Sequence, residues 1–140
     1  MVAIDTALNK VVATQRITFR KDLEFTADYL YNWNELAETF KITKQEAMDR
    51  AVLHDRSSTL KEYRNLKPAL FTQIFERCES TISGRFKNST GIMVAFINSK
   101  NVKVAEMAKQ RLGMEHLPNE VLFKGDSFKL FYKCIRQIKL

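Results

Sequence analysis

The residues able to do chemistry are few and scattered. The two histidines, His54 and His116, have no cysteine or acid nearby at metal-ligand spacing. Each reads as a solvated or hydrogen-bonded side chain rather than a ligand. Cys78 and Cys134 lie far apart in apolar patterns of helical spacing. They read as reduced, buried thiols rather than a disulfide. Glu35 and Glu38 sit three apart, on a face that solvent would wet. The glycine-rich phosphate loop, the dinucleotide fingerprint and the nucleophile elbow are all absent from the string. No nucleophile can be paired with a base. The expectation is a protein with no catalytic residue, metal or cofactor. A metal-dependent nuclease with scattered acids is the enzyme alternative.

Charge gives a stronger lead. The 140 residues carry 23 Lys/Arg against 16 Asp/Glu, a net charge of +7. Residues 1–56 hold 8 basic and 9 acidic side chains, and residues 57–140 hold 15 and 7. The surplus belongs to the second half, and a basic surplus favours polyanion partners. Three groups could meet a phosphate backbone. Thr43, Lys44 and Gln45 open a helix, with Arg50 further along. Arg16, Thr18 and Arg20 share one side of an alternating stretch. Lys129, Lys133 and Arg136 recur at helical spacing near the end.

The elements that would position these groups follow from periodicity. Residues 1–13 fit a short helix or an arm. Residues 14–21 alternate, with Ile17 and Phe19 opposite the basic side, as in a strand. Asp22 can cap a long amphipathic helix carrying Leu23, Ala27, Leu30, Trp33, Leu36, Ala37 and Phe40, which ends near Lys41. Thr43 and Glu46 form a capping box for a helix running to about Asp55. Ser57 and Ser58 break it, and a further helix carries Leu60, Tyr63 and Leu66. Pro68 suits a first helical position, and Leu70 to Ile82 recur at helical spacing until Gly84. The apolar run at 92–97 is short enough for helix or strand; its helical flanks favour helix. Asn101 caps a helix ending at Gly113, and residues 114–125 form a loop. Asp126 caps a last helix with Phe128, Phe131, Tyr132, Ile135 and Ile138 inward. Glycine and proline number only 4 and 2, which also argues for helices joined by short turns.

The expected fold is therefore mostly α: a helical bundle with a helix-turn-helix-like hairpin near residues 33–55 and one short N-terminal strand. Residues 1–56 would form a recognition lobe and 57–140 a basic helical lobe, packed together as a single domain. No stretch is long and apolar enough to span a bilayer. The start lacks the pattern of a secretory signal. The expected setting is a cytoplasm, the host's if the protein is viral.

Two resemblances give this fold a function. R-I-T-F-R at 16–20, followed by I-T-K-Q-E-A-M-D-R-A-V at 42–52, resembles ribbon-helix-helix proteins. That likeness implies a strand from each subunit in the major groove, with Arg16, Thr18 and Arg20 reading bases. F-E-R-C-E-S-T-I-S-G-R-F-K-N-S-T-G-I-M-V-A-F-I-N at 75–98 resembles the central helices of phage small terminase subunits. That likeness implies a ring-forming homo-oligomer that recognises viral DNA and hands it to a packaging motor. The expected function is thus non-catalytic binding of double-stranded DNA, in viral packaging ahead of transcriptional repression. The remaining alternative is an interaction module inhibiting a host protein.

Overall fold

The apolar run at 92–97 is a strand, and a mixed sheet is built around it. The computed structural model describes residues 1–19, 32–66, 69–86 and 90–135. The described elements run β1 (Val2–Asp5), β2 (Lys10–Phe19), α1 (Trp33–Phe40), α2 (Lys44–Arg50), β3 (Ala51–Thr59), a 3-10 turn (Lys61–Tyr63), α3 (Leu70–Ser83), β4 (Ile92–Asn98), α4 (Val102–Gln110), β5 (Glu115–His116), β6 (Val121–Phe123) and β7 (Asp126–Cys134). Spatial order is β1-β2-β3-β4-β7-β5, with β6 on β7 as well. Neighbours are antiparallel except β3 and β4, which run parallel and are connected through α3.

The mostly α expectation is corrected to a mixed α/β fold of three layers. α3 and α4 cover one face of the sheet, where Phe75, Ile82, Ala108 and Leu112 pack on Val52, Met93, Ala95, Ile97 and Phe131. α1 and α2 cover the other, where Trp33, Leu36, Ala37 and Ala47 pack on Leu53, Ile92, Val94 and Leu130. Covering both faces explains the misreading. A strand buried on both sides is a near-continuous apolar run, so period-two alternation vanishes. In β4 this run is I-M-V-A-F-I, helped by β-branched Ile92, Val94 and Ile97. In β7 the expected last helix is a strand: Phe131 faces the α3/α4 side and Leu130 the α1/α2 side.

Other elements are corrected in the same way. Residues 1–13, read as helix or arm, form β1, a turn and the start of β2. Asp5 shapes that turn, because its Oδ1 accepts hydrogen bonds from the backbone N–H groups of Ala7 and Leu8. Of the strand expected at 14–21, residues 14–19 belong to β2, and Arg20 and Lys21 lie outside the described residues. The helix expected from Thr43 stops at Arg50, since Ala51 and Val52 are needed in the parallel ladder with β4. Its N-terminus matches the expectation: the Thr43 side chain accepts from Glu46 N–H and the Glu46 carboxylate from Thr43 N–H. Leu60 to Leu66 hold only the 3-10 turn rather than a helix. The loop expected at 114–125 contains β5 and β6. Lys124 and Gly125, both at positive φ, make the two-residue turn joining β6 to β7. The long helix from Asp22 is described only as α1, its earlier part lying outside the described residues.

Candidate ligand cleft

The parallel ladder between β3 and β4 is short. It pairs Ala51, Val52 and Leu53 with Ile92, Met93 and Val94, and stops there. β3 continues to Thr59 on β2 alone, and β4 to Asn98 on β7 alone. The strands splay where their C-terminal halves leave the ladder. Among the described residues, no strand pairs with the two facing edges beyond that point. Main-chain N–H and C=O groups along those edges therefore need partners other than the sheet. A crevice beyond the carboxyl ends of parallel strands is where ligands bind in open α/β sheets.

A cavity of about 480 Å³ occupies this splay. α3 contributes Phe71, and α4 contributes Val104, Met107 and Ala108. Ala95, Phe96 and Ile97 of β4 form one wall, and His54, Ser57 and Ser58 of β3 the other. A second hollow of about 250 Å³ shares Ser57, Ser58, Phe71 and Met107 with the first and adds Tyr63, Arg64 and Arg111. The cleft thus has an apolar inner part and a cationic outer part. The described lining residues of both hollows include no carboxylate. Arg64 is oriented by a hydrogen bond from its Nε to the Thr59 carbonyl, at 2.9 Å.

Among the described lining residues, His54 is the titratable group of the inner part. Its ring stands edge-on to Phe75 and Phe71, with centroids 5.7 and 6.0 Å away. Its Nε2 lies 2.7 Å from Nε2 of Gln15, a buried β2 residue. The β2–β3 register brings them together: His54 pairs with Ile17, two positions along β2 from Gln15, so both side chains lie on the α3 side. Gln15 Oε1 in turn accepts from the Cys78 thiol of α3, at 3.6 Å. Burial pushes the Cys78 thiol above its ordinary value, so it stays protonated and able to donate.

The described residues among those expected at a DNA surface are not brought together. Arg16 and Thr18 lie on β2, a strand interior to the sheet and paired within the chain to β1 and β3. Arg20 and Arg136 lie outside the described residues. Thr43 serves its own capping box, and Gln45 donates to Asp49. Arg50 donates its Nε–H to the Thr90 carbonyl, which ties α2 to the start of β4. The stripe of Lys129 and Lys133 is not a helix face. Lys129 pairs with Glu120 at 3.8 Å, and Lys133 with Glu79 of α3 at 3.0 Å. Lys44 is exposed at the α2 start. His116 is hydrogen-bonded through Nδ1 to the Leu117 carbonyl. Cys78 is buried as expected, but Cys134 is exposed. Among the described residues, no cluster of three or more His, Cys, Asp or Glu side chains could hold a metal, and no helix is long and apolar enough to cross a membrane.

No protein-family model matches the chain, and no curated protein does. A solved structure described as an acetyltransferase does match in fold, with a TM-score of 0.64 at 10% sequence identity. The match covers 96% of this chain and 69% of the other. This is a likeness of fold. It overturns the helical DNA-packaging and repressor readings, which required an all-α architecture or a ribbon contributed to a partner. The solved structure is by name an enzyme's, which stands against the expectation of a non-catalytic protein. Sequence reasoning passed over His54 and Gln15 as site residues. Their signal is a contact across 39 positions, which no local motif encodes.

Proposed function

We propose that this protein is an acyltransferase of acetyltransferase-like fold, which binds an acyl donor in the splay between β3 and β4. The observation that carries the reading is the break in the parallel ladder after Leu53 and Val94, with a cavity lying in the gap. An extended donor such as an acyl thioester of coenzyme A needs amide partners along its length, an apolar place for its chain and cations for its phosphates. The strand edges supply the first, the inner lining the second, and Arg64 and Arg111 the third.

The reaction is group transfer. An acceptor N–H or O–H attacks the acyl carbon, the carbon–sulfur bond breaks, and the acceptor proton ends on the departing thiol. Backbone N–H groups along the β4 edge suit the developing charge on the carbonyl oxygen. His54 is the side chain placed to exchange a proton in the inner cleft. The described lining residues include no carboxylate to attract a cationic acceptor, which suits a neutral or anionic one.

Calorimetric titration with acetyl-coenzyme A tests the reading. Micromolar to submillimolar binding is expected, at one site per chain. Val104→Trp, which fills the inner hollow from α4, should weaken it at least 10-fold without unfolding the protein. Absence of binding at millimolar donor, or equal binding by Val104→Trp, would remove the proposal.

A further inference from the structure

We infer that Gln15, backed by Cys78, is a positioning residue that fixes the His54 imidazole in the tautomer carrying its proton on Nδ1. The inference concerns the tautomer itself. Its consequence for catalysis rests on the acyltransferase reading of the cleft.

An amide side chain has two unlike ends: the oxygen only accepts, and the NH2 group only donates. Gln15 is 3% exposed, so both ends must be satisfied within the protein. On one side stands the Cys78 thiol, 3.6 Å from Oε1. On the other stands His54 Nε2, 2.7 Å from the amide nitrogen. A protonated thiol donates, and an amide oxygen is the stronger acceptor within its reach; the other is the thioether of Met1, at 3.7 Å. The oxygen therefore faces sulfur, and the NH2 group faces the imidazole. An NH2 group cannot accept, so Nε2 must offer its lone pair. A neutral imidazole that accepts at Nε2 carries its proton on Nδ1. Turning the amide over would put NH2 against a thiol, a weak acceptor, and would move the imidazole proton to Nε2. Phe71 and Phe75, edge-on to the ring, hold it against rotation away from Gln15.

The consequence is a division of labour. An imidazole held this way does its work as an N–H donor, since its accepting nitrogen is already engaged. In acyl transfer such a ring stabilises charge on the carbonyl oxygen or supplies a proton to the departing sulfur. Removing the acceptor's proton would require Gln15 to give way first.

Two-bond proton–nitrogen correlation on the 15N-labelled protein reads the tautomer directly, with the His54 signals assigned by their loss in His54→Asn. The neutral ring is expected to show the Nδ1–H pattern in the wild type. Gln15→Glu supplies a carboxylate that accepts from Nε2–H, so the pattern should reverse. Cys78→Ser keeps a donor beside Oε1 and should leave it unchanged. An Nε2–H pattern in the wild type, or no reversal in a folded Gln15→Glu, overturns the inference. If Gln15→Glu does not fold, the wild-type and Cys78→Ser spectra decide. In turnover, Gln15→Glu should lower kcat at least 10-fold with KM within a factor of two, since a wrong tautomer has cost roughly 10⁴ in another histidine-dependent acyl transfer. Failure of the wild type to bind or transfer an acyl group would sink the cleft assignment, while the spectra would still decide the tautomer.

Discussion

Lys133 shows how far a residue's meaning depends on the element beneath it. On a helix it would be one of three cations on a solvated stripe. On β7 it reaches α3, where its ammonium meets the Glu79 carboxylate at 3.0 Å and lies 5.5 Å from the centre of the Phe75 ring. The two charged side chains are only 17% and 10% exposed. Breaking such a pair takes the cation from a largely buried carboxylate, whereas replacing both partners with apolar groups leaves no buried charge. Lys133→Ala should therefore destabilise the fold by roughly 2–4 kcal/mol in urea unfolding. The double variant Lys133→Met, Glu79→Leu should recover most of that loss. A Lys133→Ala protein as stable as the wild type would contradict this account. His54 shows the same limit at the candidate site. Its type was plain in the sequence. What was hidden was Gln15, which meets it only through the pairing of β2 with β3.

Among the elements, those with local chemistry were legible. The capping box of Thr43 and Glu46, the strand around Arg16 to Phe19, the helix over Leu70 to Ile82 and the Asn101 cap all stand in the structure. β4 and β7 were not legible, because burial on both faces removes the alternation that marks a strand. Two joints give tests at this scale. Gly91 precedes β4, and a Cβ there would come 2.5 Å from the Phe86 ring and 2.7 Å from Ile135. Gly91→Ala should cost about 1–3 kcal/mol by overpacking, measured as a shifted unfolding midpoint. The second joint ties the β1–β2 turn to the 3-10 segment, where Tyr63 donates its O–H to Asp5 Oδ2 at 2.6 Å. That bond, followed by the N–H groups of Leu8 and Ala7 and the charge of Lys10, holds the Asp5 carboxyl below its ordinary 3.8. The same bond raises the Tyr63 phenol above its ordinary 10.0. The Asp5 contribution is present above pH 3.8 and is lost as pH falls through its lowered value. The Tyr63 contribution is present below pH 10.0 and is lost as pH rises through its raised value. Tyr63→Phe should thus be less stable near pH 7, and its deficit should shrink toward both extremes. A deficit constant from pH 2 to pH 11 would show that the bond contributes nothing.

At the scale of the whole molecule, the sheet draws strands from both halves of the chain, and its central parallel pair is the place where they part. The charge surplus of the second half was visible in the sequence and suggested a polyanion. In the fold, part of that charge is spent on internal pairs such as Lys133 with Glu79, while Arg64 and Arg111 stand at the outer hollow beside an apolar interior. That combination fits a small ligand with a phosphate end better than a nucleic-acid duplex. The long-range pairings that create the cleft could not be read from local periodicity, which reports neighbours three or four positions away. The central claim is that the donor lies in the splay. Backbone amide spectra recorded during titration with acetyl-coenzyme A test it most directly. The account predicts saturable shifts centred on His54, Ser57, Ser58, Ala95, Phe96, Ile97 and Met107, with Arg64 and Arg111 following the phosphates. Shifts confined to another surface, or no shifts at millimolar donor, would contradict it.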